Sequence, residues 1–253
     1  MTTEQQRTGE WVLSDAFDRA APTYDAMVAL SPGYHAQLRT AADLLVERLP
    51  RPEVGDRPVT VLDLGCGSGA STRAILDAWS ARAGAAGFLT VGGVDASQGM
   101  VVQARAKAWP ARVDFAVSDA VAHLESLPDR SVDGVLAAYL LRNVPDRERL
   151  VREVARVLSP GGALAVHDYS VAGNTRAKVT WAAVCHAVII PLAAMKRSDV
   201  PLHRYLYTSV RDFDSVPRIR ERLIGAGLVD VRHQSYGGWQ RDLVHTVLGS
   251  RPS

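Results

Sequence analysis

The chain has 253 residues, 47% of them hydrophobic and 22% charged, and a net charge of +2 at pH 7 with histidine neutral. This balance is typical of a globular domain and excludes extensive disorder, and the lack of a dense Lys/Arg run argues against a nucleic-acid partner. Two cysteines, Cys66 and Cys185, do not make a disulfide framework, and the polar start MTTEQQRTGE lacks the apolar core of a secretory signal. We therefore expect a cytoplasmic protein.

The first fifty residues predict helices. SDAFDRAAPTYDAM begins with Ser14 and Asp15, which are both good N-caps. YHAQLRTAADLLVERL then carries apolar residues at helical spacing, and the following RPEVGDRP, rich in proline and charge, is typical of a linker. We expect residues 1–55 to form an N-terminal helical cap ahead of a core domain of residues 56–253.

From Val59 onward, apolar and β-branched segments alternate with helical segments. The predicted strands are VTVLDLG, FLTVGGVDAS, VDFAVSD, VDGVLAAYLLRN, ALAVHDYS, VDVRHQSYG and RDLVHTVLGS. The first helix between them, STRAILDAWSARAG, is expected to end near Gly84, and SPGG before the fifth strand predicts a turn. This alternation indicates an α/β fold with a mostly parallel, doubly wound sheet covered on both faces.

Residues 171–215 interrupt the alternation because they are longer than an ordinary crossover. Long connections in such domains are usually lids or binding segments, so we expect a helical lid that binds the acceptor. Its apolar run, residues 179–195, contains His186 and Pro191 and is shorter than the roughly 20 apolar residues of a spanning helix. A buried or lid helix is therefore favoured over a membrane span. Peripheral membrane contact and a homodimer through exposed lid surface remain open.

The segment VLDLGCGSGAST, residues 61–72, predicts a strand, a glycine turn and a helix. Glycine removes the Cβ atom where a ligand approaches the backbone, and ligands of open α/β sheets bind beyond the carboxyl ends of strands. The loop also fits the relaxed dinucleotide pattern G-x-G-x-x-A. An NAD(P)-dependent oxidoreductase is therefore an alternative reading of this loop.

Three carboxylates close successive strands, namely Asp63, Asp95 and Asp119. Asp63 lies just before the glycine loop, where it would repel a pyrophosphate but suit the ammonium and sulfonium cations of S-adenosyl-L-methionine. Asp95 can bind a ribose, and Asp119 can accept a hydrogen bond from an adenine amino group. Each has an alternative role as a turn or cap residue, but three in register favour S-adenosyl-L-methionine as the cofactor.

The segments VLDLGCGSG, GVDAS, LLRNVPD, RVLSPGG and HDYS occur in the order found in the ubiquinone/menaquinone biosynthesis C-methyltransferase family. FDRAAPTYD, HRYLYTSVRDF and GAGLVDV resemble further segments of that family, so the resemblance spans roughly residues 14–248. It implies a seven-stranded class I methyltransferase fold. It also implies methyl transfer from S-adenosyl-L-methionine, with S-adenosyl-L-homocysteine as product, to a ring carbon of a small hydrophobic quinol-type acceptor.

The resemblance also assigns candidate residues. Tyr24 would help close the site, and Arg142 and Asn143 would lie on the acceptor side. The expected cofactor-binding set is Tyr24, Asp63, Gly65, Gly67, Ser68, Gly69, Asp95, Ala96, Met100, Asp119 and Ala120.

Three departures from the family pattern concern the end of the fifth strand. Asp168 and Tyr169 stand where the family usually has Glu and Phe, and His167 replaces an aliphatic residue. These differences leave the reaction class intact. They make another phenolic, indolic or enolic acceptor in secondary metabolism an alternative to the quinol.

Methylation of a ring carbon requires that an adjacent hydroxyl lose its proton, so a group must stabilise the anion or take the proton. Arg142 fits stabilisation because its guanidinium stays charged, and for the same reason it is a poor base. The candidate bases are Asp168, His167 and His203, in that order. Asp168 has the alternative role of pairing with Arg142, and each histidine that of a structural residue.

Tyr139, Tyr205 and Tyr207 can orient the acceptor, or they can pack in the core. Methylation of an oxygen or nitrogen atom and a cofactor-binding role without methylation are alternatives on the same fold. No Cys/His spacing matches a metal motif, so we expect no metal. The catalytic candidates are Arg142, Asn143, Asp168, His203 and Tyr205.

Overall fold

The structure, a computed structural model, describes residues 3–29, 31, 33–51, 57–83, 88–110, 112–195 and 200–253. Its helices are α1 (Thr3–Ala29), α2 (Tyr34–Val46), α3 (Ala70–Ala83), α4 (Gln98–Arg105), α5 (Ala120–Glu125), α6 (Arg147–Val157), α7 (Thr175–Val184), α8 (Ile190–Met195), α9 (Val200–Arg211) and α10 (Val216–Gly225). Its strands are β1 (Val59–Leu64), β2 (Leu89–Asp95), β3 (Val113–Val117), β4 (Val132–Ala138), β5 (Leu158–Tyr169), β6 (Val229–Ser235) and β7 (Val244–Ser250). The predicted helix end near Gly84 lies outside the described residues.

Within these ranges seven strands form one sheet in the order β3-β2-β1-β4-β5-β7-β6. The strands β1 to β5 pair in parallel, and β7 runs antiparallel to both β5 and β6. The order of the strands reverses between β1 and β4. A crevice beyond the carboxyl ends of strands at such a reversal is the usual ligand site of a doubly wound sheet. The predicted fold class is confirmed.

Helices cover both faces of the sheet and enclose two apolar layers. On one face α2 and α3 bury Leu38 and Ile75 against the sheet. On the other face α6 and α10 bury Leu150 and Leu223. Full burial of such a side chain contributes about 1.5–3 kcal/mol of transfer free energy, so the two layers fix the strand ends that carry the site.

The N-terminal helix begins earlier than its sequence signals predict. Ser14 and Asp15, the predicted N-caps, lie inside α1, which also contains Pro22. Ala16 and Ala20 of this helix pack on Leu202 of α9, and α1 also lies along α4. Packing on α9 thus accompanies a helix that continues through the predicted start signal. The division into a cap of residues 1–55 and a core of residues 56–253 stays a prediction.

The fourth strand ends at Ala138 rather than at Asn143. Tyr139 has a φ of 56°, and a 3₁₀ turn follows over Leu141–Asn143. A bulky residue with positive φ is rare. Here its backbone carbonyl accepts hydrogen bonds from the side chains of Arg142 and Asn143, at 2.8 and 3.1 Å. The polar pair therefore stabilises the chain reversal that ends the strand.

The segment SPGG, residues 159–162, lies inside β5 and not in a separate turn. The register between β4 and β5 shifts at Val132 and Gly134, which accommodates these residues. Gly161 and Gly162 also exchange backbone hydrogen bonds with Arg251 after β7. Pairing with the end of the chain therefore replaces the turn that the local sequence predicts.

The predicted lid contains a nearly continuous helix in which α7 and α8 are joined by a π turn over Cys185–Ile189. Among the described residues one helix, Thr175–Met195, is long and apolar enough to cross a membrane, with a mean hydropathy of 1.6 over its most apolar 18 residues. Only 17% of these 18 residues are buried, so it is not a core helix. The lid role of this run stays a prediction.

Candidate active site

A cavity of about 590 Å³ opens at the carboxyl ends of β1 and β4. This size falls in the range of small-molecule sites, about 300–1,000 Å³. The glycine loop after β1 forms one half, and Arg142 with a group of tyrosines forms the other. Tyr24 of α1, Leu192 of α8 and His203 of α9 line its outer side. The helices expected to form the cap and lid therefore do border the predicted site.

The three loop glycines, Gly65, Gly67 and Gly69, have φ values of 70°, 53° and 92°, a region that glycine adopts without strain. Nothing lies within 4 Å of a Cβ built on Gly67, so the backbone there faces open cavity. A Cβ on Gly69 would come within 2.7 Å of the Trp109 ring. Gly67 thus leaves room for a ligand, whereas Gly69 is required by packing behind the loop.

Two of the three strand-end carboxylates border the cavity. Asp95 accepts hydrogen bonds from the amides of Gly67 and Ser97, at 2.8 and 2.9 Å, so it fixes the loop beside the open space. Asp119 is exposed and caps α5 through two backbone amides, at 2.9 and 3.0 Å. Asp95 therefore acts as a turn residue and Asp119 as a helix cap, and both also border the cavity. Their predicted contacts with a ribose and an adenine stay predictions.

Asp63 lies behind the glycine loop and does not line the cavity. Its Oδ2 accepts hydrogen bonds from the hydroxyls of Ser71 and Thr72, at 2.7 and 2.5 Å, which hold the first turn of α3. Its Oδ1 is buried and has no hydrogen-bond partner among the described residues. Burial raises the pKa of Asp63 to about 6. A direct contact between Asp63 and the cofactor stays a prediction.

Two aspartates of α1, seven residues apart, fasten this helix over the loop. Asp18 accepts hydrogen bonds from Ser97 Oγ, at 2.5 Å, and from a backbone amide of α4, at 2.8 Å. Asp25 accepts one from Ser68 Oγ and pairs with Lys107 Nζ at 2.7 Å. The sequence reasoning missed both residues, although they stand in FDRAAPTYD at a spacing that returns to the same side of a helix.

Five of the seven tyrosines of the chain line the cavity, namely Tyr24, Tyr34, Tyr139, Tyr169 and Tyr205. Tyr34 stacks on Tyr139, with ring centroids 5.4 Å apart and planes inclined by 11°, and Tyr169 lies 5.2 Å from Tyr139. Burial raises the pKa of all five hydroxyls, that of Tyr169 to about 12. At neutral pH they remain protonated and offer flat apolar faces with neutral hydrogen-bonding groups, which suits an aromatic ligand.

Arg142 borders the cavity and forms a buried ion pair behind it. Its Nη1 donates to Asp168 Oδ1 at 2.5 Å and to the Tyr139 carbonyl at 2.8 Å, while its Nε is buried and has no hydrogen-bond partner in the described part of the chain. The side chains of Arg142 and Asp168 are 7% and 1% exposed. Burial alone would lower the pKa of Arg142, but the Asp168 carboxylate raises it above its usual value. The guanidinium is therefore a permanent positive charge at the cavity wall.

Asn143 links the end of β4 to the lid. Its Nδ2 donates to the Tyr139 carbonyl, and its Oδ1 accepts a hydrogen bond from the Tyr205 hydroxyl of α9 at 3.1 Å. Tyr207 does not line the cavity and packs instead with Trp181, whose Nε1 donates to the Tyr207 carbonyl at 3.3 Å. Of the three tyrosines proposed to orient an acceptor, Tyr139 and Tyr205 are therefore in place and Tyr207 is not.

The three candidate bases lie in different environments. Asp168 is bound by the guanidinium and by backbone amides of Arg142 and Tyr169, and it does not line the cavity. His167 is fully buried between Thr246 Oγ1 and the Tyr139 hydroxyl, at 2.9 and 3.1 Å, and burial lowers its pKa to about 3. His203, predicted last, is the one of the three that lines the cavity.

Most of the predicted cofactor residues surround the glycine half of the cavity. Those that line it are Tyr24, Gly65, Gly67, Ser68, Asp95, Ala96, Met100, Asp119 and Ala120. Across the described ranges, no group of three or more His, Cys, Asp or Glu is placed to hold a metal ion.

Comparisons with known proteins agree with this geometry. A family model described as the ubiE/COQ5 methyltransferase family matches residues 2–244. The chain is 31% identical to the ubiquinone/menaquinone biosynthesis C-methyltransferase UbiE of Bradyrhizobium diazoefficiens, covering 90% of this chain and 87% of the relative. It is 29% identical to the demethylmenaquinone methyltransferase of Clavibacter sepedonicus, covering 88% and 84%.

A solved structure shares the fold. Phosphoethanolamine N-methyltransferase 2 of Haemonchus contortus, in complex with S-adenosyl-L-methionine, has a TM-score of 0.56 and 18% identity, covering 85% of this chain and 53% of that protein. The family match favours the methyl-donor reading of the glycine loop over the dinucleotide reading.

Proposed function

Because the chain belongs to the ubiE/COQ5 methyltransferase family, we propose that it transfers the methyl group of S-adenosyl-L-methionine to a ring or enolic carbon of a small hydrophobic phenol- or quinol-type acceptor. S-adenosyl-L-methionine is the cofactor of this family and supplies a methyl group on a cationic sulfur. The relatives named for quinone biosynthesis support the choice of acceptor class. The cytoplasmic location expected from the sequence is part of the same proposal.

The glycine half of the cavity fits this cofactor. Asp95 would bind the ribose, and Asp119 would accept a hydrogen bond from the adenine amino group. The open space beside Gly67 would take the part of the ligand nearest the backbone, since a side chain at this position would project into it. Asp18 and Asp25 fasten α1 across the loop, which would exclude water from the reacting centre.

The observation that carries the carbon acceptor is the Arg142 guanidinium at the wall of the aromatic half. It is held by Asp168 and the Tyr139 carbonyl, it is nearly buried, and none of the described residues offers its Nε a hydrogen bond. A fixed cation in a dry site stabilises a phenolate or enolate far more than it would in water. Such an anion carries electron density on the neighbouring carbon, which would attack the methyl group as its bond to sulfur breaks and S-adenosyl-L-homocysteine leaves. The hydrogen of that carbon would then leave as a proton, which restores the ring.

The tyrosines would hold the acceptor ring in line with the methyl group. Their protonated hydroxyls and flat faces match an aromatic ring with one or two oxygen substituents. His203 would take the phenolic proton, because it lines the cavity while Asp168 is committed to Arg142 and His167 is enclosed. Positioning of this kind contributes several kcal/mol to an in-line displacement.

An acceptor screen tests the proposal. The protein is incubated with methyl-labelled S-adenosyl-L-methionine and with demethylmenaquinol or simpler phenols, and products are assigned by nuclear magnetic resonance. We expect a new carbon–methyl bond next to a ring oxygen, and tight S-adenosyl-L-homocysteine binding in calorimetry. Label on oxygen or nitrogen would contradict the carbon acceptor, and an acceptor rearranged without gain of a methyl group would contradict methylation itself.

A further inference from the structure

The helix Thr175–Met195 is apolar on the side that faces solvent. We define its outer row as the residues Val179, Ala183, Ala187, Pro191 and Met195, all of which are exposed. Val179 is 64% exposed and Met195 is 81% exposed. Large exposed apolar side chains in one line are unusual for a free surface and mark sites of interaction.

The opposite side of the same helix already has its partners. We define its inner row as the residues Ala177, Trp181, Cys185, Ile189 and Ala193. Trp181 packs on Tyr169 with ring centroids 4.9 Å apart, and Ile189 lines the active-site cavity. The role of the helix as a lid therefore explains its inner row and leaves its outer row unexplained.

The π turn at Cys185–Ile189 keeps the outer row on one side of the helix. Residues spaced four apart drift around an α-helix by about 40° per step. The wider winding of a π turn takes back part of this rotation. The five residues of the outer row are all exposed, and they extend over residues 179–195, a length of about 25 Å.

The charges around the outer row favour an anionic partner. Thr175–Met195 contains no acidic residue, and Arg176 and Lys178 are exposed at its beginning. Two copies of the helix packed in parallel would bring these cations against each other. A surface of anionic lipid would neutralise them and cover the apolar row beside them.

We propose that the outer row is a docking surface for an anionic lipid membrane, on which the helix lies in the plane of the interface. An apolar stripe flanked by basic residues is the pattern of helices that bind such interfaces. The packed inner row holds the helix on the protein and prevents it from crossing the bilayer. Docking itself does not depend on the proposed function. Delivery of an apolar acceptor from the lipid to the cavity behind Ile189 does rest on it.

Flotation with lipid vesicles tests the surface. The full chain is mixed with vesicles of phosphatidylcholine, with or without phosphatidylglycerol. We expect binding to the phosphatidylglycerol vesicles that weakens with added salt. The variant V179E/M195E should bind at least about tenfold more weakly, because it places charge in the apolar interface. The variant R176Q/K178Q should lose about fivefold in affinity for each cation removed.

A matched variant elsewhere provides the control. Ile224 and Val229 are exposed apolar residues on α10 and β6, 56% and 45% exposed, so I224E/V229E should bind vesicles like the wild type. Calorimetry with S-adenosyl-L-homocysteine shows that each variant is folded, and it tests the cofactor site separately from docking. Absence of wild-type binding, or equal binding by all variants, overturns the proposal. The proposal is also overturned if the wild type does not bind vesicles but forms a dimer that V179E/M195E converts to a monomer. The outer row would then be a surface for self-association.

Discussion

Replacing Arg142 by methionine should expose two separable effects, one on stability and one on turnover. The substitution leaves the Asp168 carboxylate buried without its cation, and breaking a buried ion pair from one side costs about 3–5 kcal/mol. Asp168 keeps two backbone amide donors, at 2.9 and 3.3 Å, so we place the loss of unfolding free energy near the lower end, at about 3 kcal/mol. The further change Asp168→Asn removes the stranded charge and should restore most of that loss.

Turnover should behave differently from stability. Loss of one preorganised group that stabilises a developing anion lowers kcat by about 10²–10³-fold. Both Arg142→Met and the double variant with Asp168→Asn should therefore be slow, while their affinity for S-adenosyl-L-homocysteine stays near that of the wild type. Urea unfolding gives the stability, calorimetry gives the affinity, and the labelled-methyl assay gives kcat.

The chain offers a matched pair as a control. Arg222 and Asp214 form another shielded ion pair, 9% and 14% exposed and 2.8 Å apart, and neither lines the cavity. Arg222→Met with Asp214→Asn should affect stability without lowering kcat. Recovery of normal turnover by the Arg142/Asp168 double variant would refute the catalytic role and leave Arg142 as a residue that shapes the end of β4.

Three further sets of substitutions test the site. The folded state lowers the pKa of His167 to about 3 from 6.5, so the wild type loses stability as pH falls below 6.5. His167→Gln should reduce the loss of unfolding free energy between pH 6.5 and about pH 4 by about 3 kcal/mol, and an unchanged pH dependence would contradict a buried neutral imidazole. Asp95→Asn should weaken S-adenosyl-L-homocysteine binding about 10–100-fold in calorimetry, since charge-assisted hydrogen bonds contribute about 1.5–3 kcal/mol. Asp119→Asn should weaken this binding by less. Equal losses would argue against the ribose assignment. Tyr205→Phe should lower kcat/KM for the acceptor about fivefold through loss of its bond to Asn143, while Tyr207→Phe, outside the cavity, should match the wild type.

The parts of the site that sequence reasoning could predict are those built from neighbouring residues. The glycine loop and the strand-end positions of Asp95 and Asp119 depend on turn chemistry and on the alternation of strand and helix, which are local. The start of α1 and the end of β4 escaped prediction. The helix runs through Ser14 and Asp15, beside the residues that pack against α9, and the strand ends at the unusual backbone of Tyr139.

Repeated local patterns in the sequence specify the doubly wound sheet, the methyl-donor loop and the membership of a methyltransferase family. Which polar groups face the cavity depends on contacts that form only in the folded chain. Asp168 is paired with a guanidinium 26 residues away, and His167 is sealed by Thr246 on a neighbouring strand, so neither local segment reveals its environment. Burial and long-range pairing set the charge state and the accessibility of a side chain, and the chain must fold before either exists.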